Sequence, residues 1–165
     1  MRLEAVGRAL RRWFSKAERV VIIGVGNPLR RDDSVGVEIV HRLEGKVSER
    51  VYLVDSETVP EDYIEPISDF RPTHILIIDA ALIGTVPGAM RLVRDWKDSG
   101  TAVSTHALPL QLFCTYLVET TGARIAMLLI QPKEVDFDEG LTPELKETAD
   151  KLASYLLKIP GLGCD

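Results

Sequence analysis

Three separated groups of side chains in this sequence could act together on a cation. Asp32 and Asp33 stand in the run Gly24-Val-Gly-Asn-Pro-Leu-Arg-Arg-Asp-Asp-Ser-Val-Gly36. Asp79 closes the apolar run Ile77-Ile78-Asp79, and His106 ends Ser104-Thr105-His106 just before a helix. Two carboxylates plus one imidazole form a donor set suited to nickel or zinc. A closed structural site normally takes four protein ligands, so a set of three implies a bound water or an incoming ligand.

Each of these residues also has an ordinary role open to it. Acidic residues are favoured in the first turn of a helix whether or not they bind anything, so one of Asp32 and Asp33 is expected only to cap. A carboxylate ending a buried strand must be paired or coordinated, and no basic residue follows Asp79 until Arg91. A lone loop histidine such as His106 is more often hydrogen-bonded than a ligand. His41 sits among charges on a helix and His74 starts a strand near the opposite rim, so neither joins the set. Arg30 and Arg31 either pair with nearby acids or line an entrance and read a carboxylate or peptide backbone. Asp55 ends the second strand as a general base or a turn residue.

The glycine run opens like a phosphate loop and then departs from one. Gly24-X-Gly26 lacks the third glycine of the dinucleotide fingerprint, since Leu29 holds that place, and no Lys-Ser/Thr pair follows. Carboxylates at a helix N-terminus repel a phosphate placed there. Nucleotide binding is therefore disfavoured, and the glycines fit a tight turn and close helix–strand packing.

Several elements must position these groups. Short apolar runs predict strands at 20–24, 51–54, 73–78, 89–93 and 124–130. Helical spacing predicts helices at 34–43, 60–70 with a break at Pro66, 109–121, and onward from Pro143. Strands alternating with helices mean an α/β fold. The expected architecture is a three-layer α/β/α sandwich, with a five-stranded, mostly parallel, twisted sheet covered by helices on both faces. Sites in such sheets form beyond the carboxyl ends of strands, where strand order reverses. If the first and third strands are neighbours, Asp33 and Asp79 lie on adjacent rims, and His106 can join them from the loop before Pro109.

The chain of 165 residues is long enough for one domain, with a net charge of −5. That charge argues against nonspecific nucleic-acid binding, and no apolar run reaches the roughly 18 residues a membrane helix needs. A cytoplasmic location is expected. Residues 1–19 hold six cations against two acids, a net +4, which leaves −9 for the remainder. Leu3, Val6, Leu10, Trp13 and Phe14 there fall near one helical face, which suits packing on the chain's own domain, docking to a partner or contact with an anionic membrane surface. The expected division is a basic amphipathic helix at 1–19, a single α/β domain at 20–159 and a frayed tail at 160–165. Cys114 reads as a small core residue and Cys164 as part of the tail, with no disulfide framework.

With these residues in hand, the chain resembles the hydrogenase maturation endopeptidases, which process the large subunit of nickel–iron hydrogenases. The likeness rests on Gly-Val-Gly-Asn-Pro at 24–28, Asp-Asp-Ser-Val-Gly at 32–36, Asp-Ala-Ala at 79–81, Ser-Thr-His at 104–106 with Pro-Leu at 109–110, and Ile-Gln-Pro at 130–132. It spans residues 20–157. Asp33, where family members carry Glu or Asp, resembles the branch serving formate-hydrogenlyase-type hydrogenases.

The resemblance implies an endopeptidase that removes a C-terminal extension from the large-subunit precursor after nickel insertion. It carries the metal-contacting role onto Asp33, Asp79 and His106, the residues that would engage nickel displayed by the precursor. Zinc or another divalent ion is expected to substitute in vitro. The rival from another class is a non-catalytic nickel-binding accessory protein for hydrogenase maturation.

Overall fold

The computed structural model describes residues 3–97, 103–104 and 107–164. Five strands form the main sheet: β1 (Val20–Val25), β2 (Val51–Glu57), β3 (His74–Leu82), β4 (Met90–Val93) and β6 (Arg124–Ile130). Their order is β2-β1-β3-β6-β4, parallel except for β4, which runs antiparallel to β6. A two-residue strand, β5 (Val103–Ser104), pairs antiparallel with the end of β3. The five-stranded, mostly parallel α/β sheet read from the sequence is the fold of the chain.

Strand alternation sends successive side chains to opposite faces, and two cores result. Val20, Ile22, Leu76, Ile78, Leu128 and Ile130 pack under α1 (Leu3–Trp13), α2 (Val35–Leu43) and α5 (Pro143–Lys158). Val21, Ile23, Ile75, Ile77, Met127 and Leu129 pack under α3 (Ile64–Phe70) and α4 (Ala107–Thr121). Strands buried on both faces explain the continuous apolar runs. Helix α1 turns Val6, Leu10 and Trp13 into the first core, so its apolar stripe is spent within the chain itself. Among the described residues no helix is long and apolar enough to cross a membrane.

Three local expectations change. β3 does not stop near residue 78. Pairing of Ala80 with Ile130, and of Ala81 and Leu82 with β5, carries it to Leu82, so Asp79 lies inside the strand. The break expected at Pro66 falls earlier, where a 3-10 turn at Pro60–Tyr63 passes into α3. Proline removes the hydrogen bond to the residue four back, here Asp62, so the discontinuity appears on its N-terminal side. Residues 160–164 are not frayed. Leu162 is buried, Ser48 N–H donates to its carbonyl and Cys164 N–H donates to that of Lys46.

Candidate active site

The chain passes from β1 to β2 on one side, then crosses back to lay β3 along the other edge of β1. That reversal opens a crevice beyond the carboxyl ends of β1 and β3. Adjacency of the first and third strands, on which the site depends, holds from Val20 opposite His74 to Gly24 opposite Ile78.

Three glycines press the start of α2 onto the sheet. A Cβ on Gly24 would stand 2.4 Å from the Gly36 carbonyl oxygen, and one on Gly36 would stand 2.1 Å from that of Ile78. Gly26 has φ +147°, and its Cβ would meet the Asp33 carbonyl oxygen at 1.9 Å. The loop therefore serves close packing, and the contact of Gly36 with Ile78 brings the 3-10 turn Arg31–Ser34 against the end of β3.

Asp33 and Asp79 sit at this junction, 1% and 0% exposed. Asn27 N–H donates to Asp33 Oδ2 at 2.8 Å, and Asn27 Oδ1 accepts from Leu29 N–H, which holds the loop in a tight turn. By alternation Asp79 shares the face of Ile77 and Ala81, the face covered by α4. Ser104 pairs with Ala81, two residues beyond Asp79. His106 lies outside the described residues. Among the described residues no three His, Cys, Asp or Glu side chains group closely enough to hold a metal ion by themselves.

The capping role expected of one member of the pair is not the one Asp32 plays. It does not cap α2. Its Oδ2 accepts from the N–H groups of Lys133 and Glu134 at 2.9 and 3.0 Å, and its Oδ1 accepts from Thr142 N–H at 2.8 Å. The Thr142 hydroxyl also donates to the carboxylate. A fully buried carboxylate is tolerable because these donors replace water. The acid thus ties the β1–α2 loop to the segment between β6 and α5.

The arginines serve the same joint. Arg31, in the left-handed region with φ 46°, pairs with Glu134 at 3.1 Å and Asp138 at 3.4 Å. Arg30 Nε donates to the Val135 carbonyl, and its guanidinium lies 5.9 Å from the Phe137 ring centre. Asp55 is engaged by His41, whose Nε2 lies 2.7 Å from Asp55 Oδ2. Burial opposes charge on His41, but the hydrogen bond and charge of Asp55, with Glu44 and Glu38, outweigh it and raise its pKa above 6.5. His74 is at the amino end of β3, buried against Trp13 and Phe14, away from the crevice.

Two residues carry positioning roles that the sequence did not assign, although Gln131 lies in the Ile-Gln-Pro run at 130–132. Thr142 immediately precedes Pro143, a pattern that signals a helix start but not a carboxylate 110 positions away. Gln131 Oε1 accepts from Ile83 N–H at 2.8 Å and so holds the chain leaving β3.

Asp33 and Asp79 are thus two buried carboxylates near the switch point of a parallel sheet, beside a glycine loop used for packing. The family model for the hydrogenase maturation protease HycI matches residues 37–159, and the chain belongs to that family. Asp79 and His106 fall within the matched span, and Asp33 lies just before it. Hydrogenase 3 maturation protease of Escherichia coli K12 is 30% identical over 138 residues, covering 82% of this chain and 87% of the relative. The crystal structure of NiFe hydrogenase maturation protease HycI from Thermococcus kodakarensis KOD1 is similar at TM-score 0.82 and 35% identity, covering 88% of this chain and 94% of that one. The hydrogenase maturating endopeptidase HybD of E. coli is similar at TM-score 0.70 and 26% identity, covering 84% and 90%. The chain is a peptidase of the hydrogenase maturation class.

Proposed function

We propose that this peptidase removes the C-terminal extension of a nickel–iron hydrogenase large-subunit precursor once nickel has been inserted. The nickel belongs to the substrate and serves as the recognition element. Asp33, Asp79 and His106 complete its coordination and thereby register the scissile peptide over the crevice. The observation that carries this reading is two buried carboxylates brought to one junction, Asp33 in the 3-10 turn that follows β1 and Asp79 within the neighbouring parallel strand β3. Carboxylates and imidazole are suitable donors for nickel, and three of them leave coordination positions for the precursor's own ligands.

Cleavage needs water delivered to the peptide carbonyl and a proton delivered to the leaving amine. A positioned carboxylate can take a proton from that water, and the metal can polarise the carbonyl. The rigid seat of Asp33, fixed by Asn27 and the glycine contacts, keeps its carboxylate in place before substrate arrives. A family relationship to proteases named for hydrogenase 3 supports this class of substrate, and a cytoplasmic site of action accords with it.

The test is mass spectrometry of a nickel-loaded large-subunit precursor incubated with the protein. A shortened large subunit and a released C-terminal peptide are expected. Asp79→Asn and His106→Ala should stop the cut while leaving the thermal transition cooperative. An intact precursor with wild-type protein, or unchanged cleavage by both variants, overturns the proposal.

A further inference from the structure

We propose that the cleft at the amino-terminal end of the sheet binds a small multivalent oxyanion bearing phosphate or carboxylate groups. The cavity, about 620 Å³, opens between the end of α1, the segment after β4 and the start of β6. Arg12, Lys16, Arg94, Lys97 and Arg124 line it, against a single acid, Asp95. Arg124 pairs in register with His74, the first residue of β3. Five residues of strand, about 17 Å at 3.3 Å each, separate His74 from Asp79. The cleft is therefore a different place from the active site.

Five cations converge on this one cavity against a single acid, although the chain as a whole is acidic at −5. Among the described residues none of the five lies within 4 Å of a carboxylate. Arg12 lies in the last turn of α1, where it offsets the partial negative charge of that helix end. The other four face the concavity without such a partner. Like charges around a cleft repel one another, and low-dielectric walls concentrate their field within it. An anion that enters relieves the repulsion.

Size and walls favour a small ligand. The volume falls in the range of small-molecule pockets. Buried Trp13 and Trp96 give rigid walls, and Lys97 Nζ stands 5.6 Å from the Trp96 ring centre, within reach of a cation–π attraction. Guanidinium groups from three separate elements suit bidentate capture of phosphate or carboxylate.

Isothermal titration at fixed pH and ionic strength, with pyrophosphate, ATP and citrate as probes, tests this. One-site saturable binding of at least one probe is expected, with the phosphates tighter if phosphate is the source and citrate tighter if polycarboxylate is. The triple variant Arg12→Gln, Arg94→Gln, Arg124→Gln should weaken that binding at least about tenfold, while Asp33→Asn leaves it unchanged. If the triple variant does not fold, the exposed pair Lys16→Gln, Lys97→Gln provides the same readout. No saturable binding by any probe, equal binding by the cleft variants, or loss of binding in Asp33→Asn overturns the proposal.

Discussion

Gly36 and Ile78 are in such close approach that any side chain on the glycine would overlap the isoleucine carbonyl, with the Cβ only 2.1 Å from the oxygen. The start of α2 is thereby set against β3, and the turn that carries Asp33 is set with it. Gly36→Ala should displace α2 or break this contact, because the clash is with backbone and not with a side chain that can turn away. Overpacking of this kind costs about 1–3 kcal/mol. A fall in melting temperature of roughly 3–10 °C is expected by differential scanning calorimetry, together with weaker processing of precursor.

Asp32 and Asp33 are neighbours with opposite expected behaviour on substitution. Asp32→Ala leaves the buried Thr142 N–H and the part-buried N–H groups of Lys133 and Glu134 without their acceptor. A buried donor left unsatisfied costs about 1–3 kcal/mol, and two further donors lose a charged acceptor, so the melting temperature should drop by roughly 10 °C. Asp33→Asn keeps an acceptor for Asn27 N–H and should melt close to wild type while losing precursor cleavage. Equal losses of stability in the two variants would contradict this division of roles.

Much of this arrangement can be read from the residue string, and the limits are physical. The apolar runs of β1, β3 and β6 mark buried parallel strands because both faces of each are covered. The glycines at 24, 26 and 36 mark close packing because their spacing fails the phosphate fingerprint. Asp32's partners could not be read, since its hydrogen bonds reach residues 101, 102 and 110 positions away. Local spacing suggested a helix cap because capping is the nearest bond such a residue can make. The length of β3 was missed for a similar reason, since its last residues are strand only through pairing with β5. The tail at 160–164 looked loose from its glycines, yet Gly163 forms a bridge with Val47 and its Cβ would meet the Leu157 carbonyl oxygen at 2.2 Å.

The two described histidine sites should respond to pH in opposite senses. His41, raised above 6.5, contributes stability that is full below pH 6.5 and is lost as pH rises through its folded value. His74 is lowered by burial and by Arg124, with partial opposition from the Trp13 backbone. Its neutral form suits the fold, so its contribution is full above pH 6.5 and is lost as pH falls through its folded value. Proton NMR titration should place His41 above 6.5 and His74 below it. In melting experiments, His41→Gln should cost more at pH 6 than at pH 8.5, and acidification should unfold wild type more readily than His74→Gln.

Protein purified without added nickel should carry far less than one nickel per chain. Three donors alone leave the ion incompletely coordinated, and the remaining ligands are expected from the precursor. Inductively coupled plasma mass spectrometry checks this directly. Stoichiometric nickel in that preparation would mean that the metal resides in the peptidase before substrate arrives.

Because one carboxylate gathers amides from the stretch between β6 and α5, that stretch and the turn bearing Asp33 cannot loosen independently. Amide hydrogen exchange at Lys133, Glu134 and Thr142 should therefore keep pace with exchange at Asp33, as a single opening event. Any cut or insertion between residues 133 and 142 would be felt at the crevice, even though that segment supplies none of its proposed metal-contacting groups.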